Sequence, residues 1–323
     1  MQKRKLAAAF LFTAGIFFSH AAAPAYPERP VRLIALNPPG GVSDTIARAV
    51  GERLAERWKQ GVVVDNRVGA GGIIGSEIAA KAQPDGYTLL LGFVGSLAIN
   101  PGLYKKLPYD PVKDFAPISL AGRSPIVVVV NPSLPVKSIK ELISLAQAQP
   151  RKIAYSSSGS GNGNHLATEL FATMAGIDLL HVPYKGGPPA LTATIQGETA
   201  MMFANSTFAV AQVRAKRVRA IAVTTDKRLA LLPDVPTVAE SGLPDFVVTT
   251  WFGILAPAGT PGALIRKLNA DIVEALGHAT VVGKLDRAGL IAAPTTPEEF
   301  SALIKSEIVR WDKVIKQTGA KAD

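Results

Sequence analysis

An apolar strand-sized run, a turn rich in glycine, proline or serine, and a helix with one apolar face follow one another repeatedly along this chain. That order leaves few architectures open. Val31–Leu36 is the first strand, and a helix over Thr45–Trp58 presents Ile46, Val50, Leu54 and Trp58 at a spacing of four. Short strands at Val62–Asp65 and Thr88–Leu91 flank the glycine-rich turn 69–75 and a small helix through Ile78–Ala82. The pattern predicts an open, mostly parallel sheet with helices on both faces.

The alternation continues beyond an apolar strand at Pro125–Val130. Ser138 and Glu141 form a capping box ahead of a helix with Ile139, Leu142, Ile143 and Ala146 on its buried side. Strands at Lys152–Ser156, His181–Pro183, Ala200–Ala204 and Arg219–Val223 alternate with helical segments at Leu166–Met174, Ala190–Gln196 and Phe208–Arg214. After an extended apolar run at Phe246–Leu255 the chain turns helical. Thr260-Pro261 opens one helix, and Thr296-Pro297-Glu298-Glu299 opens a last helix ending near Gln317. The tail holds only Gly289–Ala293 as a strand candidate, too little for a sheet of its own. It therefore belongs with the first block, giving lobe 1 as 26–124 and 250–323 and lobe 2 as 125–249, with two crossing strands as the hinge.

The first 25 residues stand apart. Lys3, Arg4 and Lys5 precede an apolar run at Leu6–Phe18 and an Ala23-Pro24-Ala25 cleavage signature, the pattern of a secretory signal peptide. Removing these three cations from the formal net charge of +10 leaves +7, dispersed except for Arg214, Lys216, Arg217 and Arg219. No basic stripe with a recognition element is visible, so nucleic acid is not an expected partner. The chain has no cysteine, which excludes disulfides and thiolate metal sites. His165, His181 and His278 lack ligand spacing, and no cofactor is expected.

Chemistry is concentrated in the turns. Asn37-Pro38-Pro39-Gly40-Gly41-Val42-Ser43 is either a tight strand-to-helix turn or a cradle whose Gly40 and Gly41 amides face an anion, with Ser43 or Asp44 capping the helix behind. The stretch Ser156–Asn164 repeats the design: Ser157, Ser158, Gly159 and Gly161 offer hydroxyls and amides, with His165 just inside the helix. A third loop carries Tyr184 and Lys185 before Gly186-Gly187-Pro188-Pro189. Gly95, the Ser96 hydroxyl and Asn205 follow strands and can add donors. The Walker lysine and spacing are missing, and 69–75 departs from the dinucleotide pattern. Gly159-Ser160-Gly161 matches only part of a hydrolase elbow, since Ser158 stands at the opening glycine. Covalent catalysis by Ser157 or Ser160 is thus a minor alternative.

Ordered motifs in both halves carry a resemblance. They include Pro38-Pro39-Gly40-Gly41 with Asp44, Asn66-Arg67 with Gly69-Ala70-Gly71-Gly72, Pro84-Asp85-Gly86-Tyr87-Thr88, and Leu107-Pro108-Tyr109-Asp110-Pro111. They continue with His181-Val182-Pro183-Tyr184-Lys185-Gly186, Leu232-Pro233-Asp234-Val235-Pro236-Thr237 and Trp251-Phe252-Gly253. The chain resembles the solute receptors of tripartite tricarboxylate transporters, the Bug family, over nearly its whole mature length. The resemblance implies an α/β, two-lobed fold of the periplasmic-binding-protein type II kind, with two mixed sheets flanked by helices. It further implies a monomeric periplasmic receptor, not an enzyme, delivering a small organic carboxylate to the large and small membrane subunits of a permease. Pro39–Gly41 would clamp one carboxylate, and Ser157–Gly161, His165 and Lys185 would meet the distal part. Ala204 stands where family members often carry aspartate, which would disfavour an ammonium-bearing guest. A carboxylate-sensing module serving a signalling partner is the other reading.

Overall fold

Val31–Ala35 (β1) is buried along nearly its whole length because it lies between two parallel neighbours. The computed structural model describes residues 26–320, so the expected signal segment at 1–25 lies outside the described residues. The first helix, α1 (Val42–Trp58), covers the sheet and leads to β2 (Val62–Asn66), α2 (Ile73–Ala80) and β3 (Thr88–Phe93). Val31 pairs with Val62 and Arg32 with Thr88, both in parallel register. A single π turn at Gly95–Ile99 runs into the short α3 (Asn100–Leu103).

The sixteen-residue β4 (Phe115–Val130) joins two sheets. Its first part lies antiparallel to β9 (Thr249–Pro257), from Phe115 opposite Pro257 to Pro125 opposite Thr249. Its last part, Ile126–Val130, lies between β7 (Met201–Asn205) and β8 (Arg219–Val223), antiparallel to both. Ile126, Val128 and Val130 belong to one apolar cluster, and Val127 and Val129 to another. The strand's two-residue period thus feeds both faces of a covered sheet, which is why it reads as an unbroken apolar run. In the first sheet the order is β2-β1-β3-β9-β4, with the antiparallel β3–β9 and β9–β4 pairs making it mixed.

The second sheet is completed by β5 (Ala154–Ser157), parallel to β6 (Leu180–Pro183) on one side and β7 on the other. Its helices are α4 (Ile139–Ala148), α5 (Gly163–Ala175), α6 (Gly187–Gln196) and α7 (Ser206–Arg214). The molecule is a two-lobed α/β fold with mixed sheets flanked by helices. The remaining elements are α8 (Gly262–Gly277), α9 (Ala279–Arg287), β10 (Ile291–Ala292) against β4, and α10 (Pro297–Thr318).

Local signals hold with a few shifts. Thr296 accepts from the Glu299 amide and Glu299 from the Thr296 amide, so the last helix begins on a complete capping box. Ser138 caps α4, but the Glu141 carboxylate reaches the Lys137 amide, one residue before the cap. Thr260 is not a cap: its hydroxyl donates to the Pro257 carbonyl, and Pro261 occupies the position before α8. The small second helix starts five residues before its expected beginning, at Ile73, because the positive φ of Gly71 and Gly72 turns the chain directly into it.

Two buried acids fasten the C-terminal helices. Asp271 on α8 accepts from Arg57 Nε at 2.7 Å, Trp58 Nε1 at 2.8 Å and Lys267 Nζ at 2.6 Å. Burial opposes its ionisation, yet these donors together outweigh burial and hold the carboxyl below the ordinary aspartate range. Glu307 on α10 receives the indole N–H of both Trp251 and Trp311, each at 3.0 Å.

Candidate functional site

Four helices begin at one cavity of about 460 Å³. At the first of them, Gly40 has φ +78° and Gly41 leaves no room for a side chain, since a Cβ would lie 2.8 Å from that of Asn37. Gly41 is the N-cap residue of α1, so Ser43 and Asp44 lie in its first turn and do not cap it. The cap is supplied by Asn37, whose Oδ1 accepts from the Ser43 amide at 3.1 Å and the Ser43 hydroxyl at 2.8 Å. The expected cradle amides are engaged inside the protein: Gly40 N–H donates to Asp44 Oδ2 and Gly41 N–H to the Pro38 carbonyl, both at 2.9 Å. Val42, at the first helical position, is one of the first-turn amides that have no intrahelical acceptor by construction.

Asp44 is thereby a brace behind the loop. It is buried and also receives Arg48 Nε at 2.9 Å and Asn66 Nδ2 at 3.0 Å. Burial resists its charge, but the Arg48, Gly40 and Asn66 donors prevail and hold its carboxyl below the ordinary aspartate range.

The opposite wall comes from the second sheet. Asn162 caps α5 by accepting from the Gly163 amide at 2.9 Å. Ser158 Oγ donates to Asn164 Oδ1 at 2.9 Å, and Asn164 Nδ2 donates to the Phe203 carbonyl at 2.6 Å and to Asn205 Oδ1 at 3.1 Å. Asn205 Nδ2 in turn reaches Ser124 Oγ at 3.0 Å on β4 and Thr250 Oγ1 at 3.2 Å on β9. A continuous polar chain thus runs from the Ser158 loop to strands β4 and β9.

Two more helix starts complete the site. The N-cap of α6 is Gly186, at φ +112°. Pro188 and Pro189 have no N–H, so Gly187 is its open first-turn donor. The Phe208 ring packs against Gly187, where a Cβ would meet Phe208 Cζ at 2.6 Å. At the start of α7, Thr207 lines the cavity and its buried hydroxyl has no hydrogen-bond partner. Apolar wall is supplied by Phe93, Phe208 and Phe252 with Pro38, Pro39, Pro188 and Pro189.

Of the residues expected from the sequence, the cavity brings together Pro39, Gly40, Gly41, Ser158, Lys185 and Asn205. Gly95, Gly159 and Gly161 line a neighbouring hollow of about 120 Å³, together with Ser158 and Ser160. The others are engaged elsewhere in the protein. Ser96 is buried and its hydroxyl both donates to the Phe93 carbonyl and accepts from the Phe93 amide. Ser157 is fully buried, its Oγ 2.6 Å from His181 Nε2. Gly161 N–H donates to His165 Nδ1 at 2.9 Å, and the His165 and His181 rings stack with centroids 4.0 Å apart. Tyr184 OH donates to Glu198 at 3.0 Å. Ala204 is buried in the apolar cluster around Val127 and Met202, outside the cavity.

The residues left out of the sequence expectation are chiefly Asn37, Val42, Asn164, Thr207, Phe208 and Phe252. The strand-then-cap pattern before α7, Asn205-Ser206-Thr207, is the signal that could have located two of them.

Electrostatically the site has one sign. Among the described residues lining it there is one cation, Lys185, and no carboxylate. Each helix N-terminus adds about 0.3–1 kcal/mol of attraction for an anion at an exposed site. The Ser157–His181 pair lies outside the cavity lining, so the hydrolase alternative finds no nucleophile with a base facing the site. No group of three or more metal-ligating side chains occurs among the described residues.

Comparison with known proteins agrees with this geometry. Residues 46–320 match the model of the tripartite tricarboxylate transporter family receptor. Protein BugT of Bordetella pertussis is 39% identical over 97% of this chain and 96% of its own length. The structure of R. palustris Rpa4515 with adipate superposes with a TM-score of 0.85 at 37% identity, covering 92% of this chain and all of that one. MatC of Rhodopseudomonas palustris with bound malate gives 0.81 at 32% identity, covering 90% and 100%. The chain belongs to the tripartite tricarboxylate transporter receptor family, the periplasmic solute-binding receptors that include the Bug proteins.

Proposed function

We propose that this receptor captures a small organic carboxylate in the cavity between its lobes and hands it unchanged to the large and small membrane subunits of a tripartite transporter. The observation that carries the reading is the convergence of four helix N-termini and Lys185 on a cavity whose described lining has no acidic side chain. The adipate and malate held by the two structural relatives support it. Titrating purified protein with aliphatic, aromatic and hydroxylated acids, while assaying recovery of each acid, tests it. Saturable binding with full recovery is expected; turnover, or no binding by any acid, would overturn it.

The lobes are 26–124 with 250–323, and 125–249, hinged where β4 and β9 cross at Ser124–Pro125 and Thr249–Thr250. Supporting this, β4 changes sheet partners between Pro125 and Ile126, and Asn205 bonds to both crossing strands. Closure brings the two walls onto the guest and forms a joint surface for the membrane subunits. The receptor works as a monomer.

A further inference from the structure

We propose that the preferred guest is a carboxylate with an apolar body, an aryl ring or a methylene chain, and that short hydroxylated or polycarboxylic acids are disfavoured. This rests on the receptor reading above and goes further, because that reading concerns only the anionic end of the guest.

The polar side chains of the cavity are mostly engaged with one another. Asn37 is held by Ser43, Ser158 by Asn164, Asn164 by Phe203 and Asn205, and Asn205 by Ser124 and Thr250. Gly40 and Gly41 amides are likewise taken. Facing the guest are the Lys185 ammonium and first-turn amides such as Val42 and Gly187. Those donors belong to helix starts and one ammonium, and they suit an anionic end. Hydroxyls or further carboxylates set against the aromatic wall would lose partners they had in water, which is costly.

The rest of the wall is apolar from both sides. Phe93 and Phe252, on neighbouring strands, have ring centroids 6.2 Å apart with planes tilted by 31°. Phe208 contributes a third ring from the second lobe. Gly187 permits that placement, because any side chain there would displace the ring. Apolar surface on the guest gains by leaving water for these rings, whereas hydroxyls do not.

Calorimetric titration of the purified wild-type protein with benzoate, hexanoate and octanoate on one side, and malate, tartrate and citrate on the other, tests the ranking. At least tenfold tighter binding of the first group is expected. Phe208→Ala should weaken that group about tenfold and leave the second within about twofold, and Phe208→Leu should recover most of the loss. Tighter binding of malate, tartrate or citrate would overturn the apolar-body inference while leaving the receptor reading intact. Failure of all six acids to bind would overturn both. The wild-type ranking decides the matter even if Phe208→Ala does not fold.

Discussion

Asp44, expected from the sequence as a ligand-binding residue, is not part of the cavity lining. It lies beside the site, but its carboxylate faces the protein, fixing the Gly40 amide, Arg48 and Asn66. Asp44→Ala removes these acceptor atoms and leaves a backbone donor and a guanidinium without them. The expected cost is about 1–3 kcal/mol in a denaturant titration, with weaker ligand binding because the loop at Gly40 loosens. Acid acts on the same group and on Asp271. Both carboxyls are depressed in the folded state, so the stability they contribute is complete above the ordinary aspartate value near 3.8 and is lost as pH falls below it. A thermal melt series from pH 7 down to 3 should show a fall in Tm concentrated below about pH 4.5, attenuated in Asp271→Asn. Lys185, exposed at the rim, acts differently: Lys185→Gln should weaken carboxylate binding about three- to tenfold with little change in Tm. What the sequence could not reveal at this scale was direction. Loop composition located Gly40, Gly41, Ser158 and Asn205, but whether an amide or carboxylate points into the cavity depends on partners such as Asn66, which is distant in sequence.

Elements were easier to read than contacts between them. Thr296 and Ser138 carry short-range capping patterns, so the starts of α10 and α4 follow from four consecutive residues. The run Ile126–Val130 was recognisable as a buried strand, but its extension back to Phe115 was hidden by Pro117, Gly122 and Pro125, tolerated where the β4–β9 register shifts or the pairing ends. Helix α10 seats Phe300 over β9 at Gly253, where a Cβ would lie 2.1 Å from Phe300 Cζ. Gly253→Ala should therefore destabilise the protein by about 1–3 kcal/mol, and Gly253→Ala with Phe300→Leu should recover part of it in a double-mutant cycle. A loss equal to that of an exposed alanine substitution would contradict this packing.

At the scale of the molecule, the function depends on two walls built by chain segments far apart in sequence. Residues 37–42 close one side, and 158–164, 185–189 and 205–208 close the other. The polar chain from Ser158 through Asn164 and Asn205 to Ser124 and Thr250 ties the second wall to β4 and β9. A bound anion that orders this wall should favour the closed arrangement, seen as a smaller radius of gyration by X-ray scattering on adding ligand. Asn205→Ala should blunt that change more than it lowers Tm. The alternation of strands and helices made the two-lobed plan legible in advance, since it leaves the C-terminal helices no sheet of their own. The apolar character of the cavity was not legible, because Phe93, Phe208 and Phe252 read as ordinary core residues until the fold places them on one surface. The central claim is that this cavity is a reversible carboxylate site. Calorimetric titration of the purified protein with a panel of small carboxylic acids, followed by quantitative recovery of each acid, tests it most directly. The account predicts one-to-one saturable binding of at least one acid, weakened by Lys185→Gln, with the acid returned chemically intact. Consumption of the acid, or the absence of binding across the panel by a folded protein, would contradict it.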